Sequence, residues 1–238
     1  MKLDILVFAA HPDDAELGCG GTIIQQIEAG KKVGIIDLTQ GELGTRGDVE
    51  TREKEAQKAN EVMGVMVREN LQMADGFFSH SSQNLLKVVE MVRKYRPDMV
   101  LANSVTDRHP DHGKGAKLVS EACFLSGLVK VETSIKGKWQ EKWRPKNVFH
   151  YVQDRFVEPD FVVDISSVFE KKMEAIKSYS SQFYNPDVKG ENTPISSKEF
   201  WFFLEARARE FGRSVGAEFG EGFVSDKKLG VKDIWTFL

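Results

Sequence analysis

Two short stretches of this chain carry residues whose types and spacing suit metal-assisted hydrolysis. His11-Pro12-Asp13-Asp14 directly follows the apolar run Ile5-Leu6-Val7-Phe8-Ala9-Ala10, and His109-Pro110-Asp111-His112 follows a second apolar run that ends at Ala102. Imidazole and carboxylate both bind zinc well, and three such ligands leave one coordination position open. Adjacent carboxylates on a rigid turn do not easily reach one ion together. One of Asp13 and Asp14 is therefore expected to join His11 and a histidine of the second cluster on the metal, leaving the other as general base. The remaining histidine can protonate a leaving group or stabilise an oxyanion, with Asp111 available to hold its ring.

Simpler explanations exist for parts of this pattern. Asp13 with Glu16 fits a capping box at the start of a helix, and Asp111 fits a cap for a helix beginning near Gly113. Caps explain the aspartates. They do not explain why three of the five histidines fall in two His-Pro-Asp clusters at strand ends. His80 and His150 read as structural. Gly18-Cys19-Gly20-Gly21 does not match the G-x-G-x-x-G fingerprint, and carboxylates stand where a pyrophosphate would lie. Those glycines read instead as sites of close helix–sheet packing.

The elements that must position the clusters alternate along the chain. Strand patterns cover residues 3–10, 33–39, 65–73 and 99–102, with helical patterns at 20–29, 49–63, 83–95 and 113–125 between and after them. Further on, 148–152 and 161–164 read as strands, and 168–178 and 197–212 as helices. This succession predicts an α/β, Rossmann-like three-layer fold: a mostly parallel twisted sheet with helices on both faces. Residues 180–196, rich in Ser, Asn, Pro and Gly, read as a surface loop and a candidate lid. No repeat or linker divides the 238 residues, so a single domain over 1–238 is expected.

Composition narrows the function further. A net charge of −3 gives no electrostatic footprint for nucleic acid. No apolar run approaches the roughly 20 residues a membrane helix needs, and the six residues after Asp4 are too few for a signal peptide. Cys19 and Cys123 lack metal or redox spacing and read as reduced core residues of a cytoplasmic protein. Metallophosphoesterases commonly use two ions, and ligands for only one are apparent.

The residues also carry a resemblance. Ala10-His11-Pro12-Asp13-Asp14-Ala15-Glu16, Gly20-Gly21-Thr22 and Asp107-Arg108-His109-Pro110-Asp111-His112 resemble the LmbE-like (PIG-L) zinc-dependent de-N-acetylases. The similarity continues through residues 37–43, Arg52, 161–166, 181–183 and 220–223, so it spans nearly the whole chain. Within that family the sequence is most similar to bacillithiol biosynthesis deacetylases, which act on N-acetylglucosaminyl malate. The resemblance implies Zn2+, or another divalent metal, held by His11, Asp14 and His112. It implies Asp13 as general base and His109 as oxyanion stabiliser or acid, oriented by Asp111. Arg52, Arg108 and Arg144 are implied to bind substrate, their guanidinium forks suiting a malate carboxylate. Tyr151 is a candidate for a site tyrosine, whereas Phe200 stands where some relatives carry one. A small amino-sugar substrate and a homo-oligomer, a hexamer among the forms, are also implied. The alternatives are another N-acetylglucosamine conjugate or chito-oligosaccharide as substrate, or a non-catalytic sugar- or nucleotide-binding module.

Overall fold

Strand β1 (Ile5–Ala9) is buried along its whole length, and its side chains divide by parity between two apolar layers. Ile5, Val7 and Ala9 enter one layer, while Leu6 and Phe8 enter the other. An apolar run without polar alternation is what a strand covered on both faces requires. The computed structural model describes residues 1–187 and 190–237. It arranges eight further strands around β1: β2 (Val33–Thr39), β3 (Val67–Met73), β4 (Met99–Ala102), β5 (Ser134–Ile135), β6 (Lys138–Trp139), β7 (Asn147–Tyr151), β8 (Phe161–Asp164) and β9 (Gly220–Ser225). The α-helices are α1 (Asp14–Glu28), α2 (Val49–Met63), α3 (Ser82–Tyr95), α4 (Pro110–Leu125), α5 (Phe169–Lys177) and α6 (Lys198–Ser214).

Seven strands form one sheet in the order β3-β2-β1-β4-β7-β9-β8. The first five run parallel, and β9 is antiparallel to both β7 and β8. Helices α1, α2, α5 and α6 pack on one face and α3 and α4 on the other. This is the three-layer α/β arrangement expected from the sequence. The strand order reverses between β1 and β4, since the chain moves out to β3 and then returns to the other side of β1. In open α/β sheets, ligands bind at the carboxyl ends of strands beside such a reversal. Both His-Pro clusters are delivered there.

Several details depart from the sequence expectation. Helix α1 begins at Asp14 rather than near residue 20, because it is helical on both sides of a break at Cys19 (φ −145°, ψ 22°). The break frees the N–H groups of Gly21 and Thr22, which donate to Glu221 on β9 at 2.8 and 2.7 Å. Lys172 of α5 neutralises that carboxylate at 2.7 Å. Glu221 therefore caps the second half of α1 from across the fold. Strand β9 itself was not expected, since its two glycines resemble a loop. A Cβ on Gly222 would sit 3.0 Å from the Phe211 ring, so the missing side chain lets α6 lie against the strand. A Cβ on Gly18 would lie 2.2 Å from the Tyr151 ring, which bears out close packing as the role of that glycine. The small β5–β6 hairpin was also not expected.

Candidate metal centre and its pocket

The carboxyl ends of neighbouring strands supply the site. The turn after β1 carries His11 to Asp14, the turn after β3 carries Asp75, and the segment after β4 carries Asn103, Asp107 and the second cluster. Pro110 occupies the first turn of α4, where its missing N–H has no cost, and His109 is the N-cap residue. The rings of His11, His109 and His112 have centroids 4.6, 5.5 and 5.3 Å apart. Each offers a nitrogen within 4.8 Å of the others.

Asp14 lies between two of these rings. Its Oδ2 is 3.4 Å from His11 Nδ1, and its Oδ1 is 3.1 Å from His112 Nε2. The outer nitrogen of each ring is held by a carboxylate. His11 Nε2 is 3.0 Å from Asp75 Oδ1 and 3.6 Å from Asp111 Oδ2, and His112 Nδ1 is bonded to Asp107. A carboxylate on the outer nitrogen is what orients metal-ligating imidazoles. Asn103 Nδ2 and Gln153 Nε2 donate to Asp14 at 3.0 and 2.9 Å, fixing its plane. Two imidazoles and a braced carboxylate facing one point, with a third imidazole beside them, fit a zinc-class cation.

The charges agree with this. Burial alone would lower the His112 pKa, but Asp14 and Asp107 outweigh it and push it up to about 9. His11 is likewise raised, its burial overcome by Asp111, Asp14 and Asp75. Burial pushes Asp14 up, yet His112 and His11 hold it well below the usual carboxylate range. The cage favours positive charge at its centre. His109 is shifted the other way, by burial and by the neighbouring His11 and His112. Its Nδ1 accepts from the Asp111 backbone N–H at 3.3 Å, which assigns the proton of the neutral ring to Nε2.

Asp13 holds the N-cap position of α1, but its side chain does not cap the helix. Its φ of 126° is one an L-residue rarely adopts, and its side chain makes no cap hydrogen bond. Instead its Oδ2 accepts from Arg52 Nη1 at 3.1 Å. Burial raises its pKa to about 7, although Arg52 opposes the shift. Glu16, the other half of the expected capping box, accepts from Arg68 at 2.6 Å and from the Tyr179 hydroxyl at 2.9 Å.

Two sequence expectations need correction, those for Asp111 and Arg144, and the one for Arg52 gains a second contact. The Asp111 carboxylate does not hold the His109 ring; it accepts from the Gly76 N–H at 2.7 Å and Lys114 at 3.0 Å, and faces His11. Arg52 is buried and donates to Pro12 O (2.6 Å), Asp13 and Gln182 Oε1 (2.7 Å) through its two Nη atoms, while its Nε–H is unpartnered and the residue lines the pocket, so its role is tied to Asp13 without being closed to substrate. Arg144 stacks on Phe124 at 4.3 Å and donates to the Phe124 carbonyl. That places it near the far end of α4, roughly 1.5 Å per residue away from His109 and off the pocket. Arg108 does line the pocket, with its Nε 3.0 Å from Asp154 and its side chain 42% exposed.

Other positions fall into place around these. The Tyr151 hydroxyl donates to Phe8 O at 2.9 Å, and its fully buried ring does not line the pocket. His80 pairs with Glu121 outside the site. His150 contacts the Asn103 carbonyl at 2.8 Å, directly behind the cage. In the expected lid, Ser181, Gln182 and Phe183 are buried anchors, Pro194 and Ile195 line the pocket, and Val188 and Lys189 lie outside the described residues. Asp75, Asn103, Gln153 and Arg207 were missed. Asp75 follows β3 as the two clusters follow β1 and β4, so the same strand-end argument would have found it. The pocket over the cage has a volume of about 300 Å³ and continues along α6.

The family model described as "PIG-L: GlcNAc-PI de-N-acetylase" matches residues 6–123, from β1 to α4. The chain is 29% identical over 229 residues to the diacetylchitobiose deacetylase of Thermococcus kodakarensis, covering 92% of this chain and 81% of that protein. It is 28% identical over 192 residues to the 4-oxalmesaconate hydratase of Pseudomonas putida, covering 74% and 73%. The crystal structure of a conserved protein from Thermus thermophilus superposes with a TM-score of 0.85 at 35% identity, covering 97% of this chain and 98% of that one. The stretch shared with the family is the one that builds both halves of the cage, and the chain belongs to the PIG-L de-N-acetylase family.

Proposed function

We propose that this protein is a metal-dependent hydrolase that removes the N-acetyl group from an N-acetylglucosamine-type conjugate. One observation carries the reading: a cation-favouring cage of His11, Asp14 and His112, with a second carboxylate, Asp13, beside it and bonded to none of its imidazoles. Bound there, zinc would supply Lewis acidity, polarising the amide carbonyl and making water acidic enough to deprotonate near neutral pH.

The side chains divide the remaining work. Asp13 accepts the proton of the attacking water, and a pKa near 7 makes it a stronger base than an ordinary aspartate. His109, held neutral, offers its Nε2–H to the carbonyl oxygen as negative charge develops there. Asp13 then returns its proton to the nitrogen, so that acetate and a free amine leave. Arg108 contacts the sugar or its substituent at the rim.

N-acetylglucosaminyl malate is the particular substrate that the sequence resemblance implies. Of the three expected arginines, Arg108 and Arg52 line the pocket where its carboxylates would be met, and Arg144 lies off it. The test is a side-by-side assay of N-acetylglucosaminyl malate, N,N'-diacetylchitobiose and N-acetylglucosamine with divalent metal, quantifying both acetate and free amine. Equal release of the two from at least one substrate is expected. A stoichiometric sugar complex without acetate would leave the binding-module reading standing instead.

A further inference from the structure

The wall of the pocket opposite the polar cage is apolar. Phe200, Leu204, Ala208 and Phe211 recur at helical spacing on α6 and line it together with Phe203 and with Leu17 of α1. The cations that reach this part of the pocket are already matched. Lys172 is paired with Glu221 at 2.7 Å. Arg207 donates to the carbonyls of Gln153 and Asp154, with its guanidinium 4.8 and 5.8 Å from the Phe203 and Phe211 rings. About 300 Å³ is the size of a small-ligand site, more than an acetamido group fills.

We infer that the α6 wall is a subsite for an apolar extension of the amino-sugar substrate, either an N-acyl chain longer than acetyl or an aliphatic or aromatic aglycone. The inference rests on the amino-sugar hydrolase reading and fixes the chemical class of what is attached to the sugar. An anionic extension laid along α6 meets aromatic rings and two cations already bonded, since the other lining cations, Arg52 and Arg108, stand beside Asp13 and His109 instead. An apolar one removes both its own surface and that of the rings from water.

Two homologous series separate the sources. One is N-acetyl-, N-butyryl- and N-hexanoylglucosamine; the other is the methyl, butyl and hexyl glycosides of N-acetylglucosamine. Dissociation constants are measured by calorimetry on the metal-loaded Asp13→Asn protein, so the readout does not depend on turnover. Affinity should rise about fourfold per methylene in one series, the gain expected for burying each group, and that series identifies the source. N-acetylglucosaminyl malate should bind no tighter than the methyl glycoside. Leu204→Gln should flatten the dependence on chain length, and Ala208→Phe should do so by filling the space. If the bulkier variant does not fold, Leu204→Gln alone decides. Flat affinities in both series, a malate conjugate that binds tenfold tighter than the hexyl glycoside, or an unchanged slope in Leu204→Gln would each overturn the inference. Acetate release by the wild type on the same compounds reports separately on the hydrolase reading.

Discussion

At Asp13 three effects meet: a strained backbone, a buried carboxylate and a guanidinium 3.1 Å away. Burial outweighs the guanidinium, which is why the group sits near 7 rather than near 4. Asp13→Asn keeps the shape and removes the base, so kcat should fall by about 10² or more with one metal still bound per chain. Asp14→Asn should lose the metal. Metal analysis beside kinetics distinguishes the two, and the reverse pattern would exchange the roles of the carboxylates. On the proposed mechanism Arg52 works through Asp13, to which it donates at 3.1 Å, so Arg52→Lys, which lacks the fork, should lower kcat by up to about 10² with KM little changed. A raised KM at constant kcat would return Arg52 to substrate binding. Proton linkage gives a third prediction. His112, near 9 in the metal-free protein, and His11, also raised, must lose protons to become ligands. Metal affinity should therefore fall as pH drops below about 9, roughly tenfold per unit for each proton displaced. Calorimetry in buffers of different ionisation heat measures the protons released. An affinity independent of pH between about 6 and 8 would contradict the cage.

Helix α1 shows how one element serves both site and core. Its first turn carries Asp14 into the cage, and its second half, after the break at Cys19, is capped by Glu221 from β9. Glu221→Ala would leave two helix N–H groups without a partner and the Lys172 ammonium buried and unpaired. Breaking a buried pair in this way costs about 3–5 kcal/mol, which for a chain of this size lowers Tm by roughly 6–20 °C. Thermal unfolding measures it, and a shift below about 2 °C would show that the cap is dispensable. Helix α4 works differently: His109 and Pro110 set its start, and Asp111 in its first turn faces His11 directly while also accepting from Gly76 in the loop after β3.

Across the whole molecule, the parallel half of the sheet was legible because each strand there is an apolar run followed by an amphipathic helix. The antiparallel edge was not, because Gly220 and Gly222 answer to the packing of α6, a contact that no local pattern encodes. The same division holds at the site. The His-Pro-Asp clusters announce themselves by residue type and by their place after buried strands. The roles of Arg52 and Arg144 depend on Gln182 and Phe124, brought to them only by the tertiary fold. The most direct test of the account as a whole is a metal titration of chelator-stripped protein, with acetate release from an N-acetylglucosamine conjugate followed at each step. Activity should be absent at the start, rise in proportion to bound metal, and level off at one ion per chain. Undiminished acetate release from the stripped protein, or a plateau that needs two ions per chain, would contradict it.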